Sequence, residues 1–237
     1  MDGNGRWARE RGEARVFGHA NGVESVRSAV KAAGELGVEY LTLYAFSTEN
    51  WARPKEEISA LMELLVESLA GEVDELIRKG VKLRSTGDIS ALPEACIAAL
   101  RDVEDRTRDC TGLTLILALS YSGRWELTEA VRRIVQSGVA PEDIDEDTVR
   151  NYLTMPDVPD PELLIRTSGE QRLSNFLLWQ IAYTELHFTQ VMWPDFREDH
   201  FKAAILEFRG RERRFGRTGD QLEAHPAASG EHIQKSE

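Results

Sequence analysis

Three short stretches of the sequence combine arginines, small hydrogen-bonding side chains and glycines, the residue types that bind anions. The first, MDGNGRWA, sets Asp2 and Arg6 around Gly3, Asn4 and Gly5, with Trp7 next and Arg15 and His19 following. Glycine lets backbone amides approach oxygens, an aspartate can hold a divalent cation, and an arginine neutralises charge. Taken alone, the stretch reads as a polar turn, because Asp-Gly and Asn-Gly are turn dipeptides. His19 near the start of the next helix suits an anion, but alone it reads as a capping histidine.

The second stretch is FSTENWARP, residues 46–54. Ser47, Thr48 and Asn50 offer hydrogen bonds and Arg53 a charge, beside Glu49. Trp51 in so polar a loop is a recognition group or a cover for the following helix, with equal weight on each. The third is IRTSGEQRLSN, residues 165–175. Arg166 and Arg172 flank a Ser-Gly turn, and Leu173 and Ser174 lead into the next segment. Two arginines and a hydroxyl at a strand end can bind a diphosphate through charge-assisted hydrogen bonds. Glu185 follows Ser174 by eleven residues, which on one straight helix is the same face but roughly 16 Å along the axis. A shared site would need the segment to bend, or another loop or subunit to intervene. A fourth cluster, RGRERRFGR at 209–217, holds five arginines. It fits a membrane-surface patch, a solvated helix end or an arm reaching another site, and spacing ranks none of these.

The elements that must position these loops alternate. Helical spacing runs through Val23, Val26, Val30 and Ala33, and VEYLTLYAFS then reads as a strand. PKEEISALMELLVESLAGEVDELIRKG predicts a long helix, with Pro54 in its first turn, Glu56 and Glu57 at its positive end and Gly80 at its stop. Its apolar stripe is Ile58, Leu61, Met62, Leu65 and Leu69, then Leu76. VKLRSTG and LTLILALSY read as strands, the latter buried on both faces, and LPEACIAALRDVEDRTRD and SGRWELTEAVRRIVQSG as helices. PEDIDEDTVRNYL predicts a short acidic helix and ELLIRTSGE the last strand. LSNFLLWQIAYTELHF and FREDHFKAAILEFRGRERRFG predict mainly helix. The expectation is one α/β domain over 1–217, with a central, mainly parallel sheet surrounded by helices, and a disordered polar tail over 218–237. Such sheets bind ligands at the carboxyl ends of their strands, where the three loops fall.

Composition narrows the function. A net charge of −12 across 237 residues disfavours binding nucleic acid through overall charge, so an anionic ligand must meet local arginines. Cys96 and Cys110 have no metal-ligand spacing and form no disulfide framework, which points to a reduced, cytoplasmic setting. No apolar run reaches transmembrane length. The phosphate-binding GxxxxGK[ST], the dinucleotide GxGxxG, HExxH and GxSxG are all missing from the sequence.

Together MDGNGRWA, the FGH of residues 17–19, LTLYAFSTENWARP, IRTSGEQRLSNFLLWQIAYTEL and RERRFG resemble the cis-prenyltransferases, in order along the chain from Asp2 to Gly216. The resemblance implies a Mg2+-dependent condensation of isopentenyl diphosphate onto an allylic starter, usually farnesyl diphosphate, giving a cis-polyprenyl diphosphate such as the lipid carrier of cell-wall glycans. It implies an apolar tunnel for the growing chain, a homodimer, and peripheral contact with the inner face of the membrane for which the product is destined. By resemblance Asp2 is the metal-binding carboxylate. Gly3, Asn4, Gly5 and Arg6, with Trp7, Arg15 and His19, cradle the starter diphosphate. Ser47, Thr48, Glu49, Asn50, Trp51 and Arg53 form a mobile substrate loop, and Arg166, Arg172, Leu173 and Ser174 hold isopentenyl diphosphate. Glu185 is a second metal-linked carboxylate, and Arg214-Phe215-Gly216 approaches the partner subunit's site. Asn50 stands at the family's proton-acceptor position; a neutral amide is a poor base, so it is expected to orient a substrate or water while a diphosphate oxygen or Asp2 takes the proton. The apolar stripe, with Leu115, Leu117 and Leu119, is a candidate tunnel wall, though ordinary core suits most of these residues better.

Two alternatives differ in class. A non-catalytic partner subunit would have lost the aspartate and phosphate-binding residues, yet Asp2, Arg15, His19, Arg166 and Arg172 remain. A generic anion- or nucleotide-binding module would show no metal-dependent turnover. The family sets an apolar strand just before the aspartate and this sequence has none there, so the expectation is either a start codon assigned too late or a shortened protein whose opening loop is poorly anchored. SYSGRW, residues 120–125, has serines where related sequences often carry Asn and Gly.

Overall fold

The structure, a computed structural model, describes residues 1–211. Strand β3 (Thr114–Tyr121) lies between β1 (Tyr40–Ser47) and β2 (Lys82–Thr86), all parallel. Seven of its eight residues are buried, which is why LTLILALSY is almost continuously apolar rather than alternating. A separate parallel pair joins β4 (Leu163–Arg166) to β5 (Glu185–Phe188). The parallel sheet expected from the alternation is thus present in two pieces.

Parallel neighbours need crossovers, and helices supply them. Helix α3 (Lys55–Arg78) links β1 to β2, and α4 (Glu94–Arg106) links β2 to β3. Pro54 caps α3, Glu56 and Glu57 lie in its first turn, and Arg78 lies in its last. Helix α2 (Arg15–Glu35) precedes β1, α5 (Gly123–Ser137) and α6 (Glu146–Tyr152) follow β3, and α7 (Glu198–Arg209) follows β5. One apolar core joins the faces of α2, α3 and α4 to Leu83, Leu115, Leu117 and Leu119 of the sheet. Among the described residues no helix is long and apolar enough to cross a membrane.

Two expectations are corrected. The opening stretch is not a loop throughout, for Asn4–Glu10 form helix α1 directly after Gly3. Nor is LSNFLLWQIAYTELHF helical: residues 173–184 run through turns and Glu185–Phe188 form β5, so ELLIRT is not the last strand. Tertiary bonding overrides helical spacing here. The Gly123 amide donates to the Asn175 carbonyl at 2.6 Å and the Arg124 amide to Asn175 Oδ1 at 2.9 Å, pinning the segment to the start of α5. Ser174, Asn175 and Leu177 take positive φ values of 49°, 62° and 46°, which no α-helix tolerates. The tail over 218–237 and Arg214-Phe215-Gly216 lie outside the described residues.

Candidate functional site

Asp2 is held at the carboxyl end of β4 by its backbone. Its amide donates to Thr167 Oγ1 at 2.9 Å, its carbonyl accepts from the same hydroxyl at 2.8 Å, and the Trp193 amide donates to that carbonyl at 3.0 Å. The opening residues are therefore anchored, contrary to the expectation of a loose loop. The Asp2 carboxylate accepts from the Gly3 amide at 2.7 Å and from Arg166 Nη2 at 3.0 Å, with Arg6 Nη2 at 3.5 Å. Burial opposes its charge, but the Arg166 hydrogen bond and charge, the Gly3 amide and Arg6 together hold its carboxyl below the usual range. Gly3 makes the turn into α1 with φ 107°, and a β-carbon there would lie 2.9 Å from Ser168 Oγ.

Arg166 gathers the third loop. Its Nη1 donates to Ser174 Oγ at 2.8 Å and to the Arg172 carbonyl, while its Nη2 holds Asp2. Glu170 then bridges two more arginines, accepting from Arg6 Nη1 at 3.0 Å through one oxygen and from Arg172 through the other. The first and third stretches thus meet as one cluster of Asp2, Arg6, Arg166, Glu170, Arg172 and Ser174.

A second cluster joins α2 to the second loop. Glu57 accepts from Arg15 Nε at 3.2 Å and from Arg53 Nη1 at 3.1 Å. The Arg15 guanidinium lies over Gly5, where a β-carbon would stand 2.8 Å from its Cζ. His19 is neutral here: burial first, then the Arg53 charge, lowers its pKa to about 4 against the pull of Glu57. Its buried Nε2 has no hydrogen-bond partner. Because unfolded His19 takes its proton near 6.5 and the folded form only near 4, stability is lost as pH falls between those values. The full loss is of order 3 kcal/mol, about 1.36 kcal/mol for each pH unit of the difference. Urea titrations from pH 7 to 4 are expected to show a smaller acid loss in His19→Gln, and equal losses in both proteins would contradict this account.

The second loop is a 3-10 turn, Thr48–Ala52, after β1. The Ser47 amide donates to Asn50 Oδ1 at 3.1 Å, which leaves the Asn50 amide group free of the turn's own bonding. Trp51 packs on the sheet rather than over the following helix: its Nε1 donates to Ser120 Oγ of β3 at 2.9 Å and its ring stands edge-on to Phe46 of β1. Ser120, one of the two serines of SYSGRW, is therefore used, and Ser122 caps α5 by accepting from the Trp125 amide. Trp7 is also an inward residue, buried and stacked on Phe17 with the Arg11 guanidinium over its ring. Glu49 accepts from Asn175 Nδ2 at 2.8 Å, so the second and third loops are joined directly.

Both clusters reach one cavity of about 1720 Å³. Asp2, His19, Asn50, Arg53, Arg166 and Arg172 line its polar part, and Leu61, Leu65, Leu69, Leu115, Leu117 and Leu119 its apolar part. Small-molecule sites typically occupy about 300–1,000 Å³, so the space suits a long apolar ligand with a charged head. Ile58 of the expected stripe is not on this wall and packs against the core.

Glu185 does not join Asp2 within the chain. It opens β5 opposite Leu163, three residues from the pairing of Phe188 with Arg166, a distance of about 10 Å along the strands. Its carboxylate is paired with Arg211 Nη1 at 2.9 Å. Among the described residues no three His, Cys, Asp or Glu side chains gather to hold a metal. Sequence reasoning missed Glu57, Glu170, Thr167 and Asn175, and also Glu126, a fully buried carboxylate. Glu57 carried a signal of another kind, a place in a helix's first turn, and the others carried none.

Over residues 1–216 the chain matches the prenyltransferase family model described as "Putative undecaprenyl diphosphate synthase". It is 53% identical to the isoprenyl transferase of Porphyromonas gingivalis, over 94% of this chain and 89% of that protein. It is 47% identical to the farnesyl-diphosphate-specific ditrans,polycis-undecaprenyl-diphosphate synthase of Vibrio vulnificus strain YJ016, over 94% and 91%. The crystal structure of lavandulyl diphosphate synthase from Lavandula x intermedia with dimethylallyl diphosphate superposes with a TM-score of 0.88 at 38% identity, covering 91% of this chain and 95% of that one.

Proposed function

The chain belongs to the undecaprenyl diphosphate synthase family of prenyltransferases, and from that premise we propose that it extends farnesyl diphosphate with isopentenyl diphosphate units into a cis-polyprenyl diphosphate. The observation that carries this reading is the pairing of two arginine clusters with one large, partly apolar cavity. Arg15, Arg53 and His19 with Gly5 suit one diphosphate, and Arg166, Arg172 and Ser174 suit the other. The leucine wall suits the growing chain.

In the condensation the starter's C1–O bond breaks and its electron pair leaves with the diphosphate. C4 of isopentenyl diphosphate bonds to that carbon, and a proton departs from C2. Guanidinium groups aimed at the leaving oxygens favour the transition state, where the negative charge develops. The apolar wall keeps water from the cationic carbon. Asn50 positions its amide group at the cavity, and a neutral amide orients rather than accepts a proton; Asp2 or a diphosphate oxygen takes it.

Mg2+ fits what the site offers. Asp2 is an ionised carboxylate on the cavity wall, and Mg2+ is held by one or two carboxylates together with substrate phosphates rather than by an all-protein cage. Bound there, the ion would neutralise charge on the diphosphate oxygens. A contribution from Glu185 would have to come from a second subunit, and a homodimer is part of the reading. So is contact with a membrane surface, where a polyprenyl product must be delivered.

The test is incubation of the purified protein with Mg2+, farnesyl diphosphate and labelled isopentenyl diphosphate. The expected result is a butanol-extractable product that disappears with EDTA, with its length read by thin-layer chromatography. A folded sample giving none would overturn the reading.

A further inference from the structure

We propose that Glu57 and Glu170 are internal stand-ins for the two diphosphates, each occupying an arginine pair in the empty protein and exchanged out when substrate enters. The inference rests on the condensation reading above and concerns how the same site fills and empties. Each glutamate bridges two arginines from different elements, as a phosphate would. Glu57, its side chain only 11% exposed, ties Arg15 of α2 to Arg53 of the second loop. Glu170 ties Arg6 of α1 to Arg172 of the third loop, one carboxylate oxygen to each.

Charge says why the arrangement is temporary. Two guanidinium groups and one carboxylate leave each pair with a net positive charge, and His19 beside the first pair adds none. The pair therefore still attracts an anion. A diphosphate that takes the same N–H donors meets the glutamate as a like charge, which costs free energy unless the side chain turns away. In the empty site the glutamate keeps two arginines from repelling each other and holds them near the positions a diphosphate needs. After the bond forms, its return competes with the departing diphosphate for those donors. Other ion pairs, such as Arg132 with Glu129, join neighbours on a single helix and do not line the cavity, so they have no ligand to exchange with.

Glutamine keeps the shape and removes the charge, so it separates exchange from simple alignment. Isothermal titration without Mg2+ measures a non-reacting thiodiphosphate analogue of farnesyl diphosphate, and separately isopentenyl diphosphate. Glu57→Gln is expected to bind the analogue about tenfold more tightly, with isopentenyl diphosphate unchanged, and Glu170→Gln to bind isopentenyl diphosphate about tenfold more tightly, with a smaller gain for the analogue through Arg6. Steady-state kinetics should show KM for the matching substrate falling together with kcat, because release is slowed. A glutamate that only aligns its arginines would give weaker binding and a raised KM. Weaker or unchanged binding in both glutamine variants, with the unaltered protein binding normally, overturns the exchange alone. An unaltered protein that binds neither diphosphate overturns the condensation reading as well. Each variant tests its own arginine pair, so one remains decisive if the other does not fold.

Discussion

Replacing Asp2 with alanine is expected to lower kcat/KM by about three orders of magnitude while the fold persists. The backbone of residue 2 is fixed by Thr167 and Trp193, and those bonds do not involve the side chain. What alanine removes is a carboxylate that is ionised and faces the cavity, where Arg166 and Arg6 are oriented against it. Arg166 would lose one partner but keep Ser174 Oγ and the Arg172 carbonyl, so the stability change should stay near 1 kcal/mol. The sign of the pH dependence follows from the lowered carboxyl. An unfolded aspartate titrates near 3.8 and the folded one lower, so Asp2 contributes stability above that range and loses it as pH falls through the folded value. Above pH 5 the wild-type rate should therefore show no acid limb from Asp2. The variant is checked by a single-turnover assay alongside thermal unfolding. Turnover within tenfold of wild type would remove Asp2 from the chemistry, and a collapsed Tm would mean the loss was structural.

How much of this was legible in residue order depends on the range of the interaction. Strands β1 to β4 and the long helices were readable, because Leu115–Leu117–Leu119 and the Pro54-to-Gly80 punctuation are local signals. The segment after Ser174 was misread because its conformation is decided by bonds to residues far away in sequence. Asn175 satisfies amides of Gly123 and Arg124, and Arg166 holds Ser174. The arginines were visible as a type of residue, but their pairing was not. Arg53 belongs with Arg15, and Arg6 with Arg172, through glutamates that look like ordinary helix-start or turn residues in the sequence. Trp7 and Trp51 show the same limit in the other direction: each sits in a stretch rich in site residues, and each turns inward.

The largest expected effect on stability lies at a residue with no local signature. Glu126 is 1% exposed, and its hydrogen bonds come from Tyr121, Thr154 and Gln180, all neutral groups. Its Oε2 accepts from the Tyr121 hydroxyl at 2.5 Å and from Gln180 Nε2 at 2.9 Å. Its Oε1 accepts from the Thr154 amide at 3.1 Å and from the Thr154 hydroxyl. Burial, then the Glu126 charge and hydrogen bond, push the Tyr121 hydroxyl upward, so it stays a donor at any working pH. One carboxylate thus joins the end of β3, helix α5, the chain leaving α6 and the segment that carries Ser174. Glu126→Ala strands four donors beside the cavity and opens a void in its wall, which should cost about 3–5 kcal/mol. For a chain of this size that lowers Tm by roughly 10 °C or more. Because Gln180 loses its anchor, the loop with Arg172 and Ser174 loosens while Arg15, His19 and Arg53 stay in place. KM for isopentenyl diphosphate should accordingly rise about tenfold, with KM for farnesyl diphosphate changed much less. Glu126→Gln, which keeps the volume but turns an NH2 toward a donor, should fall between wild type and alanine in both measurements. Equal rises in the two KM values would show that Glu126 supports the whole site rather than the isopentenyl loop.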